Sequence, residues 1–322
     1  MIEKYKLDLK DRKILAELDQ NGRLSCSKIG KNVGLSTEVV NYRIKRLEKE
    51  NIIKDYIAII NLSKLGIIQF KILLSLEQID EEELNIKIGQ LKAIENIKWI
   101  ATCKGKWDLV LTIYAEELKQ IASLKREVIS IFGNHINQKD LSLASFAEVY
   151  NRKFILNNKD YGTSHGIIET TTKESLDELD LKILSILSES ARKPLLDLAT
   201  ELKKPVKTIN YRIRRLIKDR IITGFRISLN YERLGIKFYK AFIELSNSSQ
   251  DNIKGLLYFI KMSPNITHNM EVIGKWDFEP EFEVYSEEEF DKILNEIKFK
   301  FSNVIKRVEV ITIIKEYKFV YL

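Results

Sequence analysis

Along the N-terminal part of the chain, apolar positions recur three and four residues apart. They then shift to alternation, so short amphipathic helices pass into strands. Asp8 is placed to cap a helix that buries Ile14, Leu15 and Leu18, and Asn21-Gly22 stops it. Ser25 starts a second helix containing Ile29, which Gly34 ends, and Ser36 caps a third in which Val40, Ile44 and Leu47 share a face. Short helices, tight turns and a longer third helix are the pattern of a helix-turn-helix. Ile52-Ile53 and Tyr56 to Ile60, flanking Lys54-Asp55, predict a wing. The period then predicts a strand over 70–76, a helix over 81–91, strands over 99–103 and 109–114, a helix over 117–132 and at least a partial strand over 141–149. That order is β-α-β-β-α-β, the ferredoxin-like plan of one antiparallel sheet with two helices on one face, and its other face needs cover.

The whole pattern occurs twice. Asn41-Tyr-Arg-Ile-Lys-Arg-Leu47 returns 169 residues later as Asn210-Tyr-Arg-Ile-Arg-Arg-Leu216, and Gly105-Lys-Trp-Asp108 returns as Gly274-Lys-Trp-Asp277. Leu65-Gly66 and Lys13-Ile-Leu15 return at the same offset, as Leu234-Gly235 and Lys182-Ile-Leu184. A constant offset of this size implies a duplicated unit rather than a stacked short repeat. The fold class is therefore α+β, a tandem duplication of a winged helix-turn-helix plus a βαββαβ domain. The expected division is 1–61 and 66–155 for the first pair, a linker over 156–175, then 176–230 and 235–322 for the second, whose wing falls around Thr223-Gly224. In the linker the apolar Ile167-Ile168 is a candidate for local docking.

Composition narrows the chemistry. The 322 residues are 44% hydrophobic and 31% charged, with 13 Gly and 4 Pro, which suits packed domains and excludes a disordered or collagenous chain. Cys26 and Cys103 have no metal-ligand spacing, and His135, His165 and His268 are scattered, so no metal site, cofactor or disulfide framework is expected. No apolar run approaches the ~18 to 20 residues that cross a bilayer, and a cytoplasmic location is expected with no membrane partner.

The net charge of +7 matters through its clustering. Outside the apolar face of the third helix stand Glu38, Tyr42, Lys45 and Lys49, with Asn41 and Arg46 at its edges. In the second copy the same places hold Lys207, Tyr211, Arg214 and Lys218, with Asn210 and Arg215 at the edges. A helix of this width fits the major groove, where Asn and Arg pair with base edges and other basic groups meet phosphates, so double-stranded DNA is the expected partner. Tyr42 and Tyr211 fit either a DNA contact or packing on the first helix. Glu38 fits either acceptance from a cytosine amino group or a favourable charge near the helix N-terminus.

Leu7 to Leu15, Gly34 to Glu48, Ile52-Ile53 and Gly105 to Asp108 together resemble the leucine-responsive and asparagine regulator family, Lrp/AsnC, and each half resembles one whole member. The resemblance implies that the third helix reads DNA, that the C-terminal domains pair through their sheets, and that a small-molecule effector lies near Gly105, Trp107 and Asp108 and near Gly274, Trp276 and Asp277. Trp107 and Trp276 replace the family's usual tyrosine. Read without the family, the same four residues form a turn with a packed indole.

The halves differ where Leu109 to Tyr114 corresponds to Phe278-Glu-Pro-Glu-Phe-Glu283. Alternation puts Glu279, Glu281 and Glu283 on one side of a strand, and Pro280 is awkward between two hydrogen-bonded neighbours. If the row lies on the open sheet face, it needs solvent, a basic partner surface or a cationic ligand. Both an intrachain pseudo-dimer and a homo-oligomer would cover the open sheets. The leading function is a sequence-specific DNA-binding transcriptional regulator, modulated by a small metabolite, and not an enzyme. The alternatives are a nonspecific chromosome-organising protein and an enzyme similar to siroheme decarboxylases, for which His268 and nearby basic residues are the only pointer.

Overall fold

The computed structural model describes residues 4–156, 164–169, 173–246, 249–320 and 322. The first copy runs α1 (Leu9–Gln20), α2 (Cys26–Val33), α3 (Thr37–Lys49), β1 (Ile53–Ile60), α4 (Leu62–Leu65), β2 (Ile68–Leu76), α5 (Glu81–Ala93), β3 (Ile97–Gly105), β4 (Leu109–Ala115), α6 (Leu118–Phe132) and β5 (Ile136–Tyr150). After β6 (Ser164–Ile168) the second copy runs α7 (Glu178–Glu189), α8 (Leu195–Glu201), α9 (Val206–Lys218), β7 (Ile222–Leu229), α10 (Tyr231–Leu234), β8 (Lys237–Leu245), α11 (Gln250–Met262), β9 (Ile266–Ile273), β10 (Glu281–Val284), α12 (Glu287–Lys300) and β11 (Ile305–Phe319). The helix starts follow local chemistry: Asp8 and Asp177 each form a capping box, and Ser25 and Ser36 accept from the backbone N–H groups of Lys28 and Val39.

Each copy forms its own four-stranded sheet, β5-β2-β4-β3 and β11-β8-β10-β9, and the two join edge to edge through β3–β11 and β9–β5. Because β2 also pairs with β5, eight strands close on themselves and no edge among them is left unpaired. The open sheet faces thus cover one another within one chain, as the pseudo-dimer reading requires. Leu73, Trp107, Val110, Phe242, Trp276 and Ile311 fill the space between them. Outside, α5 and α6 close the first sheet around Phe70, Leu111 and Phe132, and the second sheet packs Phe282 and Ile243 against Phe290 and Ile297 of α12.

Three local expectations change. No hairpin turns at Lys54-Asp55 or Thr223-Gly224. Instead β1 and β7 run through these positions and pair antiparallel with each other, from Ile53 opposite Leu229 to Ile60 opposite Ile222. The linker contains β6, which pairs with β5 and buries Ile168, while 157–163 and 170–172 lie outside the described residues. The strand expected from Phe278 through Glu283 is cut at its start and becomes β10, because Pro280 has no N–H to donate; its carbonyl accepts from Ala241 N at 3.0 Å, and Phe278 keeps only isolated bridges.

The β1–β7 ribbon also fixes the two helix-turn-helix heads. The first head buries Ile227 and Leu229 of β7 in its core, and the second buries Ala58 and Ile60 of β1. Around the ribbon the contacts are reciprocal: the Arg23 guanidinium donates to Ala191 O, and Arg192 donates to Leu24 O at 2.8 Å. The two donors stand 169 positions apart and each reaches the loop of the other head, as an approximate two-fold relation between the copies requires, although their acceptors are not equivalent positions.

Candidate DNA interface and internal cavity

The third helices, α3 and α9, rest on Val40, Ile44 and Leu47 and on Ile209, Ile213 and Leu216, all buried. Glu38, Asn41, Lys45 and Lys49 are exposed on α3, as are Lys207, Arg214 and Lys218 on α9, with Asn210 half-buried. Tyr42 and Tyr211 are 66% and 64% exposed, so neither packs against the first helix. Glu38 sits in the first turn of α3, and its own backbone N–H and Ser36 hold its carboxyl below the usual range. Pro205 leads into α9 with no side-chain cap.

Arg46 and Arg215 stand differently from the rest. Arg46 grips both oxygens of Asp11 at 2.7 and 2.8 Å, and Arg215 binds Asp180. Arg43 adds 2.7 Å bonds to Asp8 and Asp11, and Arg212 repeats them on Asp177 and Asp180. Asp11 and Asp180 are buried, so these bridges bolt each third helix to the first and fix the angle at which its outer face is shown. The signal was present in the sequence: the Asp-Asp and Arg-Arg pairs recur together at the repeat offset.

At the Gly-Lys-Trp-Asp turns the structural role is visible. Gly105 has φ +128°, and a Cβ there would meet Val310 O at 2.6 Å; at Gly274 it would meet Leu141 O at 2.9 Å. Each glycine therefore lets its turn lie against the other copy's last strand. Trp107 and Trp276 are buried between the sheets, and Asp108 and Asp277 accept from Leu76 N and Leu245 N, each at 2.7 Å.

The acidic row lies inside. Glu279 and Glu283 are fully buried between the sheets, and Glu281 is half-buried. Lys71 of the first copy meets Glu279 at 2.6 Å, Lys240 reaches Glu279 at 3.1 Å and Glu281 at 2.9 Å, and Ser142 donates to Glu279 at 2.8 Å. Burial works against the charged form of Glu279, but Lys71 and Lys240 outweigh it and hold the carboxyl at about 2. Burial pulls Lys71 down to about 8 against the attraction of Glu279. Farther along, Arg152 joins three layers. It donates to Asp19 of α1 at 2.6 Å, to Ile227 O of the ribbon at 3.1 Å and to Glu283 of β10 at 2.7 Å. Arg226 also binds Asp19, at 3.1 Å, and Tyr231 and Thr267 donate to Glu283 at 2.8 and 2.9 Å.

Between this network and the ribbon is a cavity of about 400 Å³. Neither Gly-Lys-Trp-Asp turn lines it. Sequence reasoning found the acids but missed Lys71, Lys240, Arg152 and Asp19. Lysines at matched places in otherwise apolar strands were the available sign for the first two. Among the described residues, no group of three or more His, Cys, Asp or Glu is placed to hold a metal, and no helix is long and apolar enough to cross a membrane.

Comparison with known proteins agrees with this architecture. A family profile described as winged helix-turn-helix DNA-binding matches residues 7–54 and 176–223. An uncharacterized HTH-type transcriptional regulator of Pyrococcus furiosus is 34% identical over 106 residues, 33% of this chain and 68% of that protein. The crystal structure of the siroheme decarboxylase NirDL superposes with a TM-score of 0.63 and 14% identity, over 97% of this chain and 93% of that one, a likeness of fold. An AsnC-family transcriptional regulator from Agrobacterium tumefaciens aligns with a TM-score of 0.39 and 20% identity over 43% of this chain and 90% of its own.

Proposed function

Because the chain belongs to the Lrp/AsnC family of helix-turn-helix transcriptional regulators, with two family units in one polypeptide, we propose that it reads two unlike DNA half-sites as an intrachain pseudo-dimer. It is a DNA-binding transcriptional regulator. The observation that carries the finer reading is the pair of outward helices, held in a fixed relation by the β1–β7 ribbon yet chemically different. Glu38 on α3 corresponds to Lys207 on α9, an acceptor against a donor. Asn41 and Asn210 are the candidates for adenine, with Tyr42, Lys45, Lys49, Tyr211, Arg214 and Lys218 around them, while Arg46 and Arg215 act by orienting the helices.

The enzyme reading needs cations free to converge on a polyanionic substrate. Of the cations lining the cavity, Lys71, Arg152 and Arg226 are each paired with a buried carboxylate, whereas Lys54, Lys98 and Lys318 make no ion pair among the described residues, so the regulator reading rests on the outward helices rather than on the cavity. Replacing Arg214 and Lys218 by Ala tests the phosphate role. Titrations of duplex DNA over a salt series should show weaker binding to all sequences, with a log–log slope less steep by about 2. An unchanged slope would remove both residues from the interface.

A further inference from the structure

Once the internal ion pairs are drawn, Glu316 is left as the cavity-lining carboxylate beside the buried network; Asp55 and Lys54, Lys98 and Lys318 also line the cavity and make no ion pair among the described residues. Glu279, Glu281, Glu283 and Asp19 are matched by Lys71, Lys240, Arg152 and Arg226 at 3.1 Å or less. Glu316, on β11, makes a 2.7 Å bond from Trp99 Nε1, and no lysine or arginine stands at ion-pair distance among the described residues. Its side chain is exposed, opening onto the solvent-accessible space of the cavity it lines. Desolvation by the surrounding protein raises its carboxyl above the usual range in spite of the Trp99 bond and the more distant Lys54.

Two further lining groups await partners. Among the described residues, Thr112, 8% exposed, makes no side-chain hydrogen bond, and the Gln69 side chain, 7% exposed, has only a 3.7 Å contact with Met270 sulfur. Both lie on the adjacent strands β2 and β4. Trp99, Tyr114, Tyr231, Phe238, Tyr317 and Phe319 supply aromatic walls. Unfilled acceptors, a spare carboxylate and aromatic faces together suit an alkylammonium group, through charge-assisted hydrogen bonds and cation–π contact.

We propose that this cavity is a binding site for a small organic cation, a primary amine, seated between Glu316 and the Thr112–Gln69 wall. The site is distinct from the Gly-Lys-Trp-Asp turns. It lies against the Glu283–Arg152–Asp19 chain that ties the barrel to α1, so occupancy bears on the setting of the first head. That regulatory consequence rests on the DNA-binding reading; the binding itself does not.

The test is calorimetric titration of the full chain with butylamine and 1,4-diaminobutane, with butyrate as the anionic counterpart, and a duplex-binding assay on the same preparations. Saturable binding of one amine per chain and no binding of butyrate is expected. Glu316→Gln should weaken the amine about tenfold or more, and the near-isosteric Thr112→Val by about threefold to tenfold. Asp251→Asn on the outer helix α11 should leave it unchanged. Absence of saturable amine binding, equal binding of butyrate, or full affinity in both Glu316→Gln and folded Thr112→Val would overturn the site. DNA binding retained without amine binding would sink the cavity proposal alone, whereas amine binding without DNA binding would sink the regulatory reading alone.

Discussion

Glu279→Leu is expected to destabilise the chain by about 3–5 kcal/mol, the usual cost of removing one partner from a buried ion pair. The variant leaves Lys71 without a carboxylate between the sheets and leaves Lys240 with Glu281 alone. Adding Lys71→Met should recover at least half of the loss, because a pair replaced by apolar groups of similar volume is close to neutral. Urea unfolding of the wild type and both variants reads this directly, and equal stabilities would deny the pair its structural role. The same site makes the fold acid-sensitive. A carboxyl at about 2 in the folded state and near its ordinary 4.5 when unfolded stabilises fully above 4.5, and that contribution is lost as pH falls from 4.5 toward 2. Glu281 and Asp19, also held low against their burial by neighbouring cations, add to the loss as pH falls below their ordinary carboxylate values.

Separately produced halves are expected to pair with each other rather than with themselves. Two first halves would bring two Lys71 side chains together with Val110 where Glu279 belongs. Two second halves would set Glu279 and Glu281 of both copies against Lys240 alone, with no counterpart of Arg152 for Glu283. Each self-pair leaves at least one buried charge uncompensated, so a mixture should favour the unlike pair by about 100-fold or more. Sedimentation of each half alone and of the equimolar mixture reads the preference; equally strong self-association of either half would contradict it.

What the sequence shows and what it hides divide along range of interaction. The three-helix pattern is legible because Asp8, Ser25 and Ser36 cap within three residues of their partners and the apolar face repeats every turn. The alternation that puts Glu279, Glu281 and Glu283 on one side is equally local. Their surroundings are not: Lys71 is 208 residues from Glu279 in sequence, and Arg152 is 133 from Asp19. Strand partners are hidden for the same reason. Nothing within 53–60 distinguishes a local wing from a ribbon made with the other copy, since both satisfy the same alternating pattern. The candidate DNA face was legible as a surface. The division of its arginines between outward contact and internal bracing had only the joint recurrence of the Asp and Arg pairs as a sign, because Asp11 lies 35 residues before Arg46.

Selection of bound duplexes from a random pool by the full chain tests most directly whether two unlike heads read DNA as one unit. The expected product is an asymmetric site of two different half-sites at a constant spacing, set by the fixed relation of α3 and α9. Glu38→Lys should alter the preference in one half only. A perfectly symmetric site that Glu38→Lys changes equally in both halves, or no enrichment over the starting pool, would contradict the account.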